Sequence, residues 1–180
     1  MFIAKEKRTS NIGEYLIYMY QVEDLIRACN LDKELLETQL ISRYRVEGEA
    51  QNEIKNWYFG LAELMHDEQL HKKGHLSFIT NKINELYDFH RYLLQDKEHM
   101  DYVALYQKIL PVLNEIMAKQ QNTENEIQSV IDSIYAYFLL RLKGQEVTPE
   151  TTESISQLSA LLAKLSDKFK KYEEGFLKIE

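Results

Sequence analysis

The eight residues from Tyr135 to Leu142 (YAYFLLRL) are apolar on almost every side of a helix, and this stretch limits what the chain can become. A helix with so little polar face to offer water has to be wrapped by other elements. Its boundaries are written locally: Thr123 can cap the first free amides, Glu126 can reach back three residues in a capping box, and Gly144 is placed to end it. On a wheel centred on Ile134, residues Ile127, Val130, Tyr137 and Phe138 lie within about 60°, and so does Arg141. A guanidinium in an apolar stripe needs a partner. Arg141 is therefore expected to pair with a carboxylate inside a bundle, and the candidate is Glu23.

The wrapping elements are expected to be helices too. Six glycines and two prolines in 180 residues are too few for a turn-rich β protein, and no run of five residues alternates apolar with polar. A hydrophobic fraction of 44% can fill one sizeable core. The expectation is an all-α, single-domain bundle over residues 1–180, with about seven helices and a long C-terminal one.

The first nine residues read as a short arm, with Ser10 capping a helix that runs to about Ala28. Its stripe around Met19 takes in Ile12, Tyr15, Leu16, Tyr18, Val22, Leu25, Ile26 and Cys29. Glu23 lies about 40° from Met19 inside that apolar sector, and reads as a structural ion-pair member rather than a catalytic acid. Further helices are expected over Asp32–Arg45 on Leu36, Leu40 and Tyr44, over Glu49–Lys73 on Ile54, Trp57, Tyr58, Leu61, Leu64 and Met65, and over Ser77–Gln95 on Ile79, Ile83, Leu86, His90 and Leu94. Gly48 and Gly74 read as helix stops, and His90 as a core histidine. Asp101–Lys119 follows, with a kink or break near Lys108 because Pro111 removes an amide donor and crowds the Gln107 carbonyl.

Thr148 and Pro149 start the last helix. Its apolar positions, Ile155, Leu158, Leu162, Leu165, Phe169, Tyr172, Phe176 and Ile179, alternate spacings of three and four in a heptad seam. Continuous to Glu180, that helix would be about 48 Å long against neighbours of about 30 Å. The excess predicts self-association through the C-terminal helix.

Chemistry is sparser. Glu63 and His66, followed by Glu68 and His71, repeat the Glu-x-x-His spacing with which dimetal bundles aim two ligands at one point. Both copies fall on one expected helix, and Glu63 and His66 lie roughly 140° to 200° from Leu61, away from the main stripe. No native metal is therefore expected at these four candidates. His66, His71 and His75 with Asp67 and Glu68 form a second acidic and imidazole cluster, for which the helix C-terminal dipole is explanation enough. No glycine-rich phosphate loop, nucleophile elbow or Cys–His arrangement is present, so no catalytic residue is named and no cofactor is expected.

A charge of −7, from 22 basic and 29 acidic residues, argues against broad nucleic-acid or anionic-membrane binding. Cys29 is the only cysteine, which fits a reducing compartment and leaves no intrachain disulfide. Lys5, Lys7 and Arg8 precede an apolar segment, but Glu14, Glu23 and Asp24 interrupt it, so neither a signal peptide nor a membrane span is expected and the protein reads as cytoplasmic.

FIAKEKR (2–8), NIGEYLIYMYQVEDLIRACNLD (11–32), KKGHL (72–76) and LLRLKGQEVTPET (139–151) together resemble a family of short bacterial helical proteins known only as a domain of unknown function. The resemblance implies a compact, cytoplasmic helical protein and assigns no residue a role. Two functions compete on the residues alone. One is a noncatalytic helical interaction or regulatory module, with a homodimer or an unknown protein as partner. The other is a small-ligand or metal-binding bundle, with an enzymatic role left open, using Glu23, Arg141, His90 and the histidine cluster.

Overall fold

The computed structural model describes residues 2–120 and 125–177, and every regular element among them is helical. Eight α-helices stand where about seven were expected: α1 (Phe2–Ser10), α2 (Ile12–Ala28), α3 (Lys33–Leu35), α4 (Glu49–Asp67), α5 (Ser77–Gln95), α6 (Met100–Lys119), α7 (Glu126–Leu142) and α8 (Pro149–Glu173). The chain gathers into two compact units, one of Met1–Glu6 with Tyr18–Asn81, the other of Lys7–Ile17 with Lys82–Glu180. Helices α2 and α5 each run unbroken through both.

In the first unit, the arm expected at residues 1–9 is helical, with Ala4 buried. Asp32 caps α3, its Oδ1 accepting from the Leu35 amide at 2.8 Å. The backbone then widens into a π turn over Leu36–Leu40 and tightens into a 3-10 turn over Ile41–Arg43. Five residues separate the buried Leu36 and Ile41, and an α-helix would place them about 140° apart, whereas a π turn brings them to one side. Ile41 thus takes the core position expected of Leu40. Gly48, with φ +67, precedes α4 rather than closing the helix before it. The buried side of α4 is Ile54, Tyr58, Leu61, Ala62 and Met65; Trp57 is only half-buried and Leu64 is exposed.

In the second unit, α6, α7 and α8 pack on one another. Ser10 ends α1 rather than capping α2. Asn11 is the cap, its Oδ1 accepting from the Glu14 amide, while the next free amide, Gly13 N–H, donates to the buried Ser166 Oγ at 3.1 Å. Gly13 is where α2 meets α8 at closest approach: a Cβ there would sit 2.7 Å from Leu162 Cγ and 2.8 Å from Ser166 Oγ. Helix α6 runs unbroken through Pro111. Pro111 and Gln107 are both exposed, so the carbonyl that loses its donor faces water.

Helix α7 departs from its expected orientation. Its buried apolar positions are Ile127, Val130, Ile131 and Tyr135, a stripe centred on Ile131 and rotated about 60° from the Ile134 wheel, with Ser129 buried on another side. Asn125 is the cap, with Oδ1 accepting from the Gln128 amide at 2.6 Å; Thr123 lies outside the described residues. Gly144, with φ +66, does end the helix. Helix α8 stops at Glu173, followed by Gly175 at φ +77, so its 25 residues span about 37 Å rather than 48 Å. The heptad seam from Ile155 through Phe169 is buried within the chain, Phe169 meeting Phe89 at 5.3 Å between ring centroids. Tyr172 and Phe176 are exposed, and Ile179 lies outside the described residues.

Candidate functional site at the α4–α5 loop

Helix α4 ends six residues earlier than the sequence implied, at Asp67, and Gln69 turns the chain through a left-handed φ of +58. Residues 68–76 form a loop leading into α5. That start leaves backbone amides without intrahelical acceptors, which carboxylates are suited to fill. Two do so. Glu23 Oε1 accepts from the Leu76 amide at 2.8 Å, and Glu68 Oε2 accepts from the Ser77 amide at 2.7 Å and from its hydroxyl at 2.8 Å.

Glu23 has no solvent exposure, as its place in the apolar stripe predicts. Its partner is not a guanidinium. With Oε1 on the Leu76 amide, Oε2 accepts from His75 Nδ1–H at 2.6 Å. The imidazole lies flat on the buried ring of Tyr20, centroids 3.7 Å apart and planes 10° from parallel. A carboxylate carrying no proton can only accept, so the proton of this hydrogen bond sits on Nδ1, and in the neutral ring the lone pair then sits on Nε2. Nε2 has no hydrogen-bond partner among the described residues and opens to solvent.

Arg27 fixes the rest of the loop. Its Nε donates to the Leu70 carbonyl at 3.1 Å, one terminal nitrogen to the Gly74 carbonyl, and the other to Asp24 at 2.8 Å. Gly74 holds φ +90, which a side chain would resist. Glu23 and Arg27, one turn apart on α2, therefore hold the backbone and imidazole of a loop about fifty residues away in sequence. Arg27 makes its ion pair with Asp24, not with Glu23.

Arg141 is exposed, so the expected burial fails for that half of the pair; both Glu23 oxygens are already engaged in the first unit. The rotated stripe of α7 is the reason, since Arg141 falls about 80° from Ile131. The metal candidates are also dispersed. Glu63 and His66 are on α4, exposed, with Glu63 paired to Lys33 at 2.5 Å, while Glu68 and His71 have left the helix. His66 and His71 meet edge to face at 5.4 Å, Glu68 serves Ser77, and His75 belongs to Glu23. No group of three potential ligands converges among the described residues.

A second polar chain lies in the other unit. Tyr102 OH donates to Nδ1 of the buried His90 at 2.6 Å, and His90 Nε2 contacts Glu126 Oε2 at 3.3 Å. The same oxygen accepts from Tyr106 OH at 2.7 Å. Contact with His90, then with Tyr106, holds the Glu126 carboxyl below its ordinary value, and burial pushes the Tyr102 hydroxyl up. His90 is thus a satisfied interior histidine.

The profile of one family matches residues 1–175, which is nearly the whole chain. The protein belongs to the DUF4924 family, a domain of unknown function. No curated protein and no solved structure matches this chain. The geometry of this DUF4924 member therefore has to speak for itself. His75 was the residue sequence reasoning undervalued. Its local signal was position: an imidazole two residues before a helix start, following a glycine, sits where free amides and their carboxylate acceptors gather.

Proposed function

We propose that this chain is a noncatalytic helical interaction or regulatory module, and that it acts as one domain. The observation that carries the reading is the C-terminal half of α7. Its buried stripe ends at Tyr135, yet the helix continues for two turns through Tyr137, Phe138 and Leu139, all half-buried, to Leu140 and Leu142, which are 37% and 64% exposed. Helix propensity alone needs no leucine at a water-facing tip; apolar residues there have a use when another surface covers them.

Self-association remains the proposed mode, with a changed basis. The seam through Phe169 is consumed within the chain, so the contact is assigned to the tip of α7 and to the exposed Tyr172 and Phe176 after it in sequence. Sedimentation equilibrium at high micromolar concentration tests this. A dimer that Leu140→Ser with Leu142→Ser converts to monomer supports it, and a wild-type monomer refutes it. No helix is long and apolar enough to cross a membrane among the described residues. A ligand-binding bundle is the second reading, favoured by one observation, the solvent-facing Nε2 of His75.

A further inference from the structure

We propose that His75 Nε2 is a phosphoryl-acceptor site, independent of which surface the module uses for association. Three features of the loop converge on that chemistry. The Nδ1 hydrogen bond to Glu23, at 2.6 Å, fixes the ring so that the nucleophilic lone pair is on Nε2. The Tyr20 face and the Arg27 anchors at Leu70 and Gly74 hold that ring still, so little freedom is lost when an electrophile approaches. Lys72 and Lys73, exposed on the same loop, supply the positive charge for a phosphoryl group that arrives as an anion, the first amides of α5 being already taken by Glu23 and Glu68.

In the step itself, the Nε2 lone pair attacks phosphorus. The N–P bond forms as the bond from phosphorus to the leaving group breaks, and the leaving group departs with that electron pair. The ring becomes positively charged; the buried Glu23 carboxylate offsets that charge and takes the Nδ1 proton, leaving an uncharged imidazole ring that carries the anionic phosphoryl group. The donor is a small activated phosphoryl compound, a phosphoramidate or an acyl phosphate. The two lysine side chains favour a phosphoryl group, which is anionic before and after transfer, over an uncharged acyl group.

The five histidines provide internal controls. His66 and His71 are more exposed than His75 and lack its close buried carboxylate, whereas His90 and His99 are buried. If exposure governed reactivity, His66 and His71 would react first. The full chain is incubated with phosphoramidate, and the sites are assigned by electron-transfer fragmentation and ³¹P NMR. The expected result is one acid-labile phosphoryl group, on His75, formed about tenfold faster than at His71, with Glu23→Gln removing that advantage. In urea, where the clamp is gone, the histidines should react alike. Equal or faster reaction at His66 or His71 in the folded wild-type chain overturns the assignment, as does an unchanged His75 rate in urea; neither depends on a variant that folds.

Discussion

Replacing Glu23 by alanine should be among the most damaging single changes the first unit can suffer. The carboxylate is fully buried and accepts two hydrogen bonds, from the Leu76 amide at 2.8 Å and from His75 Nδ1–H at 2.6 Å. A hydrogen bond to a charged group contributes about 1.5–3 kcal/mol, and each donor stranded in the interior adds its own desolvation cost. His75 can turn its ring toward water, but the Leu76 amide is fixed at the start of α5 and cannot. A loss of about 3–5 kcal/mol follows, which for a chain of this length lowers Tm by roughly 6–20 °C. Glu23→Gln keeps one acceptor and points an NH2 at the other donor, so about half that loss is expected. Glu23→Leu restores volume without an acceptor and should not rescue. Urea unfolding followed by circular dichroism separates these cases, with Arg141→Ala as the control: the residue is exposed, and its removal should stay within about 0.5 kcal/mol. A Glu23→Ala protein as stable as wild type would falsify the view that this carboxylate organises the loop.

Gly13→Ala should destabilise despite alanine's better helix propensity of about 1 kcal/mol, because the new Cβ meets Leu162 Cγ at 2.7 Å and overpacking of that kind typically costs about 1–3 kcal/mol. Adding Ser166→Ala should recover only part of the loss in a thermal melt, since the leucine contact persists. The depressed Glu126 carboxyl contributes stability that is present above its ordinary value of 4.5 and disappears as pH falls through its folded value. Wild type should therefore lose stability relative to Glu126→Gln between about pH 5 and pH 3 in urea titrations, and parallel curves would contradict that sign. Because α2 and α5 are continuous through both units, calorimetry should record one cooperative transition; two resolved transitions would speak against a single domain.

Local signals in the sequence carried the helices. Asp32, Thr148 with Pro149, and Gly144 each mark a boundary through hydrogen bonds or backbone angles within four residues, and each does so in the structure. Glu23 and His90 were placed in the interior correctly because a single polar residue in a long apolar stripe is visible on a wheel. The direction of α7 was not legible for the opposite reason: a segment apolar all round gives a wheel no preferred side, and the polar Gln128, Asp132 and Ser133 of its first half were the better guide. Partners were harder still. Glu23 finds His75 at a separation of 52 residues, which no periodicity encodes, and the loop that Arg27 and Glu23 hold follows the early end of α4 at Asp67. The inner seam through Phe169 is covered by elements of the same chain, Phe89 of α5 among them, while Tyr172 and Phe176, two of the outer positions from which self-association is expected, are exposed.

The tautomer of His75 tests the carboxylate–imidazole pairing most directly. Long-range ¹H–¹⁵N correlation of the histidine rings distinguishes a protonated Nδ1 from a protonated Nε2. With Glu23 accepting at 2.6 Å, His75 should show Nδ1–H and a bare Nε2 in wild type and lose that preference in Glu23→Gln. A wild-type His75 protonated on Nε2 alone, the form free imidazole side chains favour, would contradict the arrangement on which both the loop's stability and its reactivity depend.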